Sequence, residues 1–478
     1  MNTMRPISSM FRGPATLVAL ATATMAHDAQ AQQPLPLVSV DVDVAAYGME
    51  SAEEIRRGRI SVAYASEGTR LAIYYLRDDP VHPRVTYPDP PPVPAPVPGP
   101  RPETRETALW VWATADILRD QDERVAFLDF VEAQGITRVF LYLAAAEGQR
   151  PSAGYIPFSS DEIGPLLAQL RERGALAYAL DGDRDYVREE NHPGVFRTVR
   201  RLVEHNRGVP AEQRFHGVRY DIEPYLAPGF QGPIRQKLLD GYVELLAGVS
   251  EIGREGGLAV AVDIPFWFDA PDEETGDFMQ ATLHGETKPM LEHIMALVDD
   301  VAIMDYRTDA FGANGALAHA YHELRLGEDM GVDVFVGVET VRLVDEDLHT
   351  FFGPIRDGLP EHAEARWIVL VDGGDAVGGG EPAARQREGG EAVRLWLVDS
   401  EEALAELEER VRGASLVRHW PAGRPIRVAA DAQSFRNHGP EKMREVTGEI
   451  VRRLVASPAF AGLAYHDYRG LRELLGKH

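Results

Sequence analysis

The chain of 478 residues contains no cysteine. This absence excludes disulfide bonds, thiolate metal sites, a cysteine nucleophile and a lipid anchor on a cysteine. Several motifs are absent as well: there is no H-x-H on the first predicted strand, no H-E-x-x-H, no G-x-S-x-G, and no G-x-G-x-x-G after the first strand. The chain therefore lacks the residues typical of zinc hydrolases, serine hydrolases and dinucleotide-binding folds.

Long hydrophobic runs are also missing, since no segment after the N-terminus approaches the ~20 apolar residues of a membrane-spanning helix. The N-terminus itself has the pattern of a secretory signal peptide. Arg5 and Arg12 supply positive charge, 14–26 is a short apolar run, and "AQA" at 29–31 is a small-x-small cleavage site. We predict a signal peptide over 1–31 and a secreted or periplasmic bacterial protein, which agrees with the lack of disulfides in so large a chain.

Positive charge is scarce, with 49 Lys and Arg against 75 Asp and Glu and a formal charge of −26. Loss of Arg5, Arg12 and Asp28 with the signal peptide changes this charge to −27. Such a field repels phosphate backbones, so we predict no nucleic-acid partner. A neutral or cationic substrate is compatible with it.

Eight apolar runs separated by amphipathic stretches dominate the chain from Thr107 onward. They lie at 108–114, 138–144, 175–181, 217–223, 258–264, 300–306, 334–340 and 462–468. Near-continuous apolar strands that alternate with helices favour a parallel sheet covered on both faces. Eight units predict an α/β fold of the (β/α)8 TIM-barrel type. A doubly wound open sheet is the alternative.

The remaining segments define the predicted domain organisation. Residues 32–87 form a short N-terminal segment that contains β-like runs. Nine prolines between Pro88 and Pro102 predict an extended linker over 88–104, and the barrel then occupies 105–478. The gap at about 341–461 is too long for a loop without structure, so we predict a small inserted α+β subdomain between strands seven and eight.

Polar side chains gather where the predicted strands end, which is where barrels of this type build their active sites. The acids and their neighbours are Asp181, Asp183, Asp221, Glu223, Asp263, Asp305, Tyr306, Arg307, Glu339, His466 and Asp467. Carboxylates that share a low-dielectric cleft raise one another's pKa, which is how a general acid is made near neutral pH. Asp181, Asp183, Asp221 and Asp263 are an alternative set of oxygen ligands for Ca²⁺ or Mg²⁺. We predict no metal and no cofactor.

Aromatic residues accompany these acids, namely Trp110, Trp112, Tyr225 and Trp267. Flat apolar rings beside carboxylates suit a sugar, whose C–H faces stack on rings while its hydroxyls bond to acids. We therefore predict that these aromatic residues and the strand-end polar residues bind a polysaccharide or oligosaccharide. One of the two strand-one tryptophans is expected to pack beneath the helices instead.

Two of these motifs resemble glycoside hydrolase family 18, the chitinase-like barrels: the D-x-E of strand four, Asp221 and Glu223, and M-x-Y on strand six, which ends at Tyr306. The resemblance implies that Glu223 is the general acid and base, that Asp221 orients the acetamido group of the substrate, and that Tyr306 supports it. The chain departs from the family pattern at His216, Arg219 and Arg307, where the family has acids.

A second resemblance is to the retaining glycosidases that place catalytic glutamates after strands four and seven, here Glu223 and Glu339. It implies a double displacement with Glu339 as nucleophile. The segments "DIEPY", "DIPFW", "MDYR" and "GVET" are also similar to a group of secreted bacterial barrels labelled only as hydrolases. The sequence thus predicts a secreted glycoside hydrolase that uses Glu223, with a non-catalytic glycan-binding or envelope-scaffold barrel as the alternative.

Overall fold

A computed structural model of the chain describes residues 38–48, 59–65, 68–77, 93–96, 105–144, 155–230, 232–269, 278–351, 355–372, 392–412, 414, 416–423 and 426–476. The predicted signal peptide and most of the predicted proline-rich linker lie outside these residues. Within the part of the chain that is described, no helix combines the length and apolar character that crossing a membrane requires.

The secondary structure follows the predicted alternation of strands and helices. The strands are β1 (Val38–Asp43), β2 (Arg59–Ala65), β3 (Gly68–Arg77), β4 (Glu106–Val111), β5 (Arg138–Tyr142), β6 (Leu176–Asp181), β7 (Gly217–Tyr220), β8 (Ala259–Pro265), β9 (Gln280–Leu283), β10 (Glu286–Pro289), β11 (Asp300–Met304), β12 (Asp333–Glu339), β13 (Glu346–Phe351), β14 (Arg356–Asp357), β15 (Trp367–Asp372), β16 (Ala392–Val398), β17 (Leu416–Pro421), β18 (Ile426–Val428) and β19 (Phe460–His466). The α-helices are α1 (Thr114–Arg119), α2 (Gln121–Gln134), α3 (Ser160–Glu172), α4 (His192–Gly208), α5 (Arg235–Gly256), α6 (Met290–Leu297), α7 (Ala316–His319), α8 (Tyr321–Met330), α9 (Glu401–Arg410), α10 (Pro440–Leu454) and α11 (Tyr468–Leu474).

Eight of these strands form a closed parallel barrel in the order β4-β5-β6-β7-β8-β11-β12-β19. The first and last strands pair directly, with Tyr465 opposite Leu109, so the sheet has no free edge. Each barrel strand overlaps one of the eight predicted apolar runs. The predicted (β/α)8 barrel is therefore confirmed, and the alternative of an open doubly wound sheet is wrong.

Residues of the barrel strands alternate between two apolar layers because successive side chains on a strand face opposite ways. On β4, Trp110 belongs to the cluster inside the barrel. Its neighbours Leu109 and Val111 belong to the larger cluster between barrel and helices. The helices are positioned by their ends: Asp120 caps α2 by accepting two backbone N–H groups, and Gly135 ends it in the left-handed conformation.

The predicted insertion between strands seven and eight is confirmed, and it is joined to the N-terminal strands. Between β12 and β19, the strands β13–β18 form two antiparallel sheets and α9 packs against one of them. β1 forms the edge of the first sheet by pairing with β16, and β2 and β3 extend the second through β13. The N-terminal segment and the insertion therefore share hydrogen-bonded sheets.

A buried ionic network crosses the inside of the barrel beneath the strand ends. The Arg219 guanidinium is fully buried, lies 4.0 Å from the Phe140 ring centroid, and donates to Asp263 at 2.6 Å and to Asp300. Arg138 also binds Asp300, at 2.9 Å. Buried charges are tolerated only when they are paired in this way.

Replacing Arg219 with Met should lower the free energy of unfolding by about 3–5 kcal/mol, because it leaves the buried carboxylate of Asp263 without its cation. Urea unfolding of wild type and variant measures the difference. The matched control is Arg444→Met on α10, whose side chain is 56% exposed and lies 3.9 Å from Glu441. It should change stability by no more than about 0.5 kcal/mol. An equal loss of unfolding free energy in both variants would contradict the proposed contribution of the buried ionic network to stability.

Candidate active site

The end of strand β7 positions the two acids of the D-x-E motif. The Asp221 amide donates to the Asp181 carbonyl at 3.0 Å, which extends the β6–β7 ladder by one residue. A Cβ atom at Gly182 would lie only 1.9 Å from the Asp221 carbonyl oxygen, so glycine is required for this close approach. Two residues later, Glu223 precedes the short 3-10 helix Pro224–Leu226. Pro224, at the first position of this 3-10 helix, favours the start of the helical turn and so ends the extended segment after Glu223.

Glu223 is a half-buried acid whose pKa suits proton transfer near neutrality. Burial, together with the nearby charge of Asp263, raises the pKa of its carboxyl to about 7. A hydrogen bond from the Tyr225 hydroxyl to Oε1, at 2.5 Å, and the positive charge of Arg184 act in the opposite direction. An acid with a pKa near the working pH is protonated often enough to donate and weak enough to be regenerated.

Asp221 lies beside Glu223 and is also a buried acid with neighbouring negative charges. Burial raises the pKa of its carboxyl well above the usual range, and the charges of Glu223 and Asp263 add to this effect. Its Oδ1 atom is buried and accepts no hydrogen bond from any residue in the described part of the chain. A buried polar atom without a partner carries a free-energy cost that a bound ligand can relieve.

The two other acids of the cluster, Asp263 and Glu339, are fully buried and have both oxygens occupied. Asp263 accepts from Trp110 Nε1 at 2.9 Å and from Arg219 at 2.6 Å. Glu339 accepts from the Val341 amide at 2.7 Å through Oε1, and Oε2 lies 2.9 Å from His466 Nδ1. These acids hold other side chains in place.

Tyr306 and His466 complete the group. The Tyr306 and His466 rings lie 5.6 Å apart between centroids. Burial raises the pKa of the Tyr306 hydroxyl well above its usual value, and the charges of Glu339 and Asp221 are among the next causes. The carboxyl ends of the five barrel strands β7, β8, β11, β12 and β19 therefore meet in one place. The predicted Glu223 and Asp221 lie there.

Asp305 and Arg307 flank Tyr306 in sequence but face a different environment. The Asp305 carboxylate lies 2.7 Å from Nδ1 of His319 on α7. The Arg307 guanidinium donates to Asn314 and lies 4.4 Å from the Phe266 ring centroid. Because adjacent residues of an extended chain point to opposite sides, these side chains have contacts distinct from those of Tyr306.

Three other predicted binding acids act as local structural acceptors. Asp183 Oδ1 accepts the Asp185 amide and so caps a short 3-10 helix. Asp467 Oδ1 accepts the Gly470 amide and caps α11. Asp181 is buried and accepts from Tyr186 at 3.1 Å, and burial raises the pKa of its carboxyl to about 7.

The aromatic residues divide into supporting rings and partly exposed ones. Trp110 is 1% exposed and sits inside the barrel, whereas Trp112 is half-buried and packs edge-on against Tyr142 at 4.8 Å. The expectation that one of these tryptophans lies beneath the helices is wrong, because residues two apart on a strand share a face. Tyr225 packs edge-on against Trp267 at 5.0 Å.

Arg219 and Tyr142 belong to the site but are not among the predicted site residues. The structural role of Arg219 was signalled by an arginine in the middle of an otherwise apolar strand, since such a charge must find buried acids. Tyr142, which contacts Trp112, follows the same inward parity as Phe140 on β5. Neither signal identifies the partner, because the partners come from other strands.

A metal centre finds little support in the donor atoms. Among the residues that the structure describes, no three His, Asp or Glu side chains are grouped as metal ligands. Within the alternative set, Asp181, Asp183 and Asp263 already accept hydrogen bonds from protein groups. Of these four aspartates, Asp221 alone has a carboxylate oxygen that is buried without a partner among the described residues.

Comparison with known proteins adds the following findings. No protein-family model matches the chain. No curated protein matches it in sequence. Solved structures similar in fold include a chitinase from Chromobacterium violaceum, with 12% identity over 78% of this chain and 99% of that one and a TM-score of 0.33. Others are Ostrinia furnacalis Group II chitinase catalytic domain 2, with 11% identity over 78% and 97% and a TM-score of 0.35, and the spore cortex-lytic enzyme SleL of Bacillus megaterium, with 10% identity over 78% and 75% and a TM-score of 0.32. The class that the strand pairing itself defines is the (β/α)8 barrel.

The raised pKa of Glu223 should make the folded protein less stable as pH rises. The folded state holds the Glu223 proton from the ordinary pKa of 4.5 up to about 7, while the unfolded state has released it. Stability is therefore lost across this window, by about 3 kcal/mol for this one group. Urea unfolding between pH 4 and about 8 should show Glu223→Gln gaining stability relative to wild type as pH rises. Parallel curves would contradict the shifted pKa.

Proposed function

We propose that the protein is a glycoside hydrolase in which Glu223 is the general acid. The observation that carries the proposal is the Glu223 carboxyl itself: half-buried, adjacent to a second under-bonded acid, and with its pKa raised to about 7 at the carboxyl end of a barrel strand. Protonating the glycosidic oxygen as the C–O bond breaks requires an acid of this kind. The proton then resides on the leaving sugar, and Glu223 becomes the base that activates water.

We assign to Asp221 and Tyr306 the stabilisation of the positive charge that develops on the sugar. Asp221 has an unpartnered buried oxygen that a polar substituent of the substrate can satisfy. Tyr306 is buried, and the charges of Asp221 and Glu223 both act on the pKa of its hydroxyl. Groups fixed by the barrel where charge develops need no reorganisation during the reaction, which is the main source of electrostatic stabilisation.

The hydrogen bonds of Glu339 favour one of the two predicted schemes. A double displacement needs a carboxylate oxygen free to attack the anomeric carbon. Both oxygens of Glu339 are bonded and its side chain is fully buried, and the same holds for Asp263. This supports the scheme in which a substituent of the substrate itself, aligned by Asp221, attacks the anomeric carbon. An amino sugar with an acetamido group has such a substituent.

The charge and the aromatic residues are consistent with an uncharged glycan as substrate. The formal charge of −26 disfavours phosphorylated ligands. Trp112 and Tyr142 are half-buried and have rings of the type that stack on sugar C–H faces, whereas Trp267 is 8% exposed and packs against Tyr225. We propose a polysaccharide or oligosaccharide substrate outside the cytoplasm, reached through the signal peptide predicted over 1–31.

Replacing Glu223 with Gln should reduce glycan-cleaving activity by about 10²–10⁴-fold, because glutamine keeps the shape but has no proton to transfer. Release of reducing ends from acetamido-sugar and neutral polysaccharides measures the activity. Glu441→Gln on α10, where the side chain is 87% exposed, is the matched control and should retain full activity. Cleavage that survives Glu223→Gln sinks the assignment. Equal glycan binding without cleavage in wild type and variant would identify a glycan-binding barrel instead.

Tyr225→Phe should move the alkaline limb of the pH–rate profile to higher pH. The hydroxyl of Tyr225 donates to Glu223 and lowers the pKa of that carboxyl, so its removal keeps the acid protonated further into the alkaline range. The profile of kcat/KM reports this pKa in the free enzyme. Tyr155→Phe, at a side chain that is 54% exposed, should leave the profile unchanged. An acidic shift in Tyr225→Phe would refute the role of this hydrogen bond.

A further inference from the structure

A chain of hydrogen bonds links the carboxyl ends of three neighbouring barrel strands, from β12 through β19 to β4. The Glu339 carboxylate accepts the Val341 amide through Oε1 and lies 2.9 Å from His466 Nδ1 through Oε2. The other ring nitrogen of the same histidine, Nε2, lies 2.8 Å from Trp112 Nε1. The backbone of His466 is fixed as well, since Thr340 donates to its carbonyl through both its amide and its hydroxyl.

This geometry determines the protonation of His466. An indole N–H can only donate, so Nε2 of His466 must accept and carries no proton. A carboxylate only accepts, so Nδ1 must carry the proton and donate to Glu339. The ring is therefore neutral and in the Nδ1–H tautomer, and Glu339 selects that tautomer.

The chain of hydrogen bonds ends at a ring that faces the site. Trp112 is half-buried, packs against the inner cluster of the barrel, and meets Tyr142 edge-on. Its only polar atom is already bonded to His466, so no part of the indole requires a hydrogen bond from a ligand. A ring that is fixed and fully satisfied offers an apolar face for stacking at a low entropic cost.

We propose that Glu339 is a positioning residue: it holds His466 in the Nδ1–H tautomer, and His466 in turn fixes the Trp112 indole as a stacking platform for one sugar ring of the substrate. The sugar in this statement rests on the proposed function, whereas the tautomer and the orientation of Trp112 do not. Glu339, at the end of β12, then acts in substrate binding and is not a nucleophile.

The charges around His466 oppose this arrangement, which makes the protonation state a sharp test. Burial lowers the pKa of His466, but the carboxylates of Glu339, Asp467 and Asp221 outweigh it and raise that pKa to about 9. The hydrogen bond from Trp112 acts in the other direction, because it exists only while Nε2 is unprotonated. A proton on Nε2 would place two N–H groups against each other and release Trp112. The observed contact at 2.8 Å is that of the neutral ring.

The first experiment is ¹⁵N NMR of the full chain labelled at histidine, near neutral pH, with the His466 signals assigned by their loss in His466→Gln. We expect one proton on Nδ1 and a bare, hydrogen-bonded Nε2. Protons on both nitrogens, or on Nε2 alone, would overturn the proposal. The readout needs no substrate, so it stands even if no glycan is cleaved.

The second experiment uses Glu339→Gln, because a glutamine has one acceptor oxygen where two donors, the Val341 amide and His466 Nδ1–H, now require one each. We expect a mixture of histidine tautomers, a changed tryptophan fluorescence spectrum, and KM raised about tenfold, the equivalent of ~1.4 kcal/mol of binding, with kcat changed much less. A nucleophile would instead lose kcat by orders of magnitude. Restoration of Glu339→Ala by azide, which substitutes for a missing nucleophile, would likewise refute the positioning role.

Trp112→Phe is the second variant in case Glu339→Gln does not fold. It keeps an aromatic ring, although a smaller one, and removes the N–H donor, so His466 Nε2 should gain a proton at a higher pH than in wild type. On the inactive Glu223→Gln background, binding of a chito-oligosaccharide should weaken in Trp112→Phe, and Tyr155→Phe should bind as the parent does. An unchanged His466 titration in Trp112→Phe would contradict the proposed chain of hydrogen bonds.

Discussion

One buried cation sits among the acids of this site. Arg219, enclosed in the barrel against Phe140, forms ion pairs with Asp263 and Asp300 and so balances their buried negative charge. Asp263 in turn raises the pKa of Glu223. Without Arg219, the acids at the strand ends would lose the fixed pattern of charge that leaves Glu223 near 7.

Carboxyl groups of the same chemical type have different roles because their hydrogen bonds differ. Asp263 and Glu339 are saturated with protein donors and serve to hold Trp110 and His466. Glu223 accepts from Tyr225, and Asp221 retains an unpartnered oxygen. In the proposed function, the under-bonded pair binds and protonates the substrate, and the saturated pair holds the side chains around it.

Much of the architecture was predictable because it depends on local periodicity. The eight apolar runs predicted eight barrel strands, and the long gap before the last run predicted the insertion. The pairing of β1 with β16 and of β2 with β13 was not predictable, because β-strands of this length can pair with many partners and the choice depends on packing between distant segments. The shared face of Trp110 and Trp112, in contrast, follows from strand parity alone.

The amino-acid sequence by itself determined that Asp221 and Glu223 lie at the carboxyl end of a barrel strand, because their spacing and the proline that follows are local properties. It also determined that other acids end the neighbouring strands. Only the tertiary structure decided which of them are free to react. The side-chain donors to Asp263 and Glu339 are Trp110, Arg219 and His466 on β4, β7 and β19, and these meet the acids only when the barrel closes.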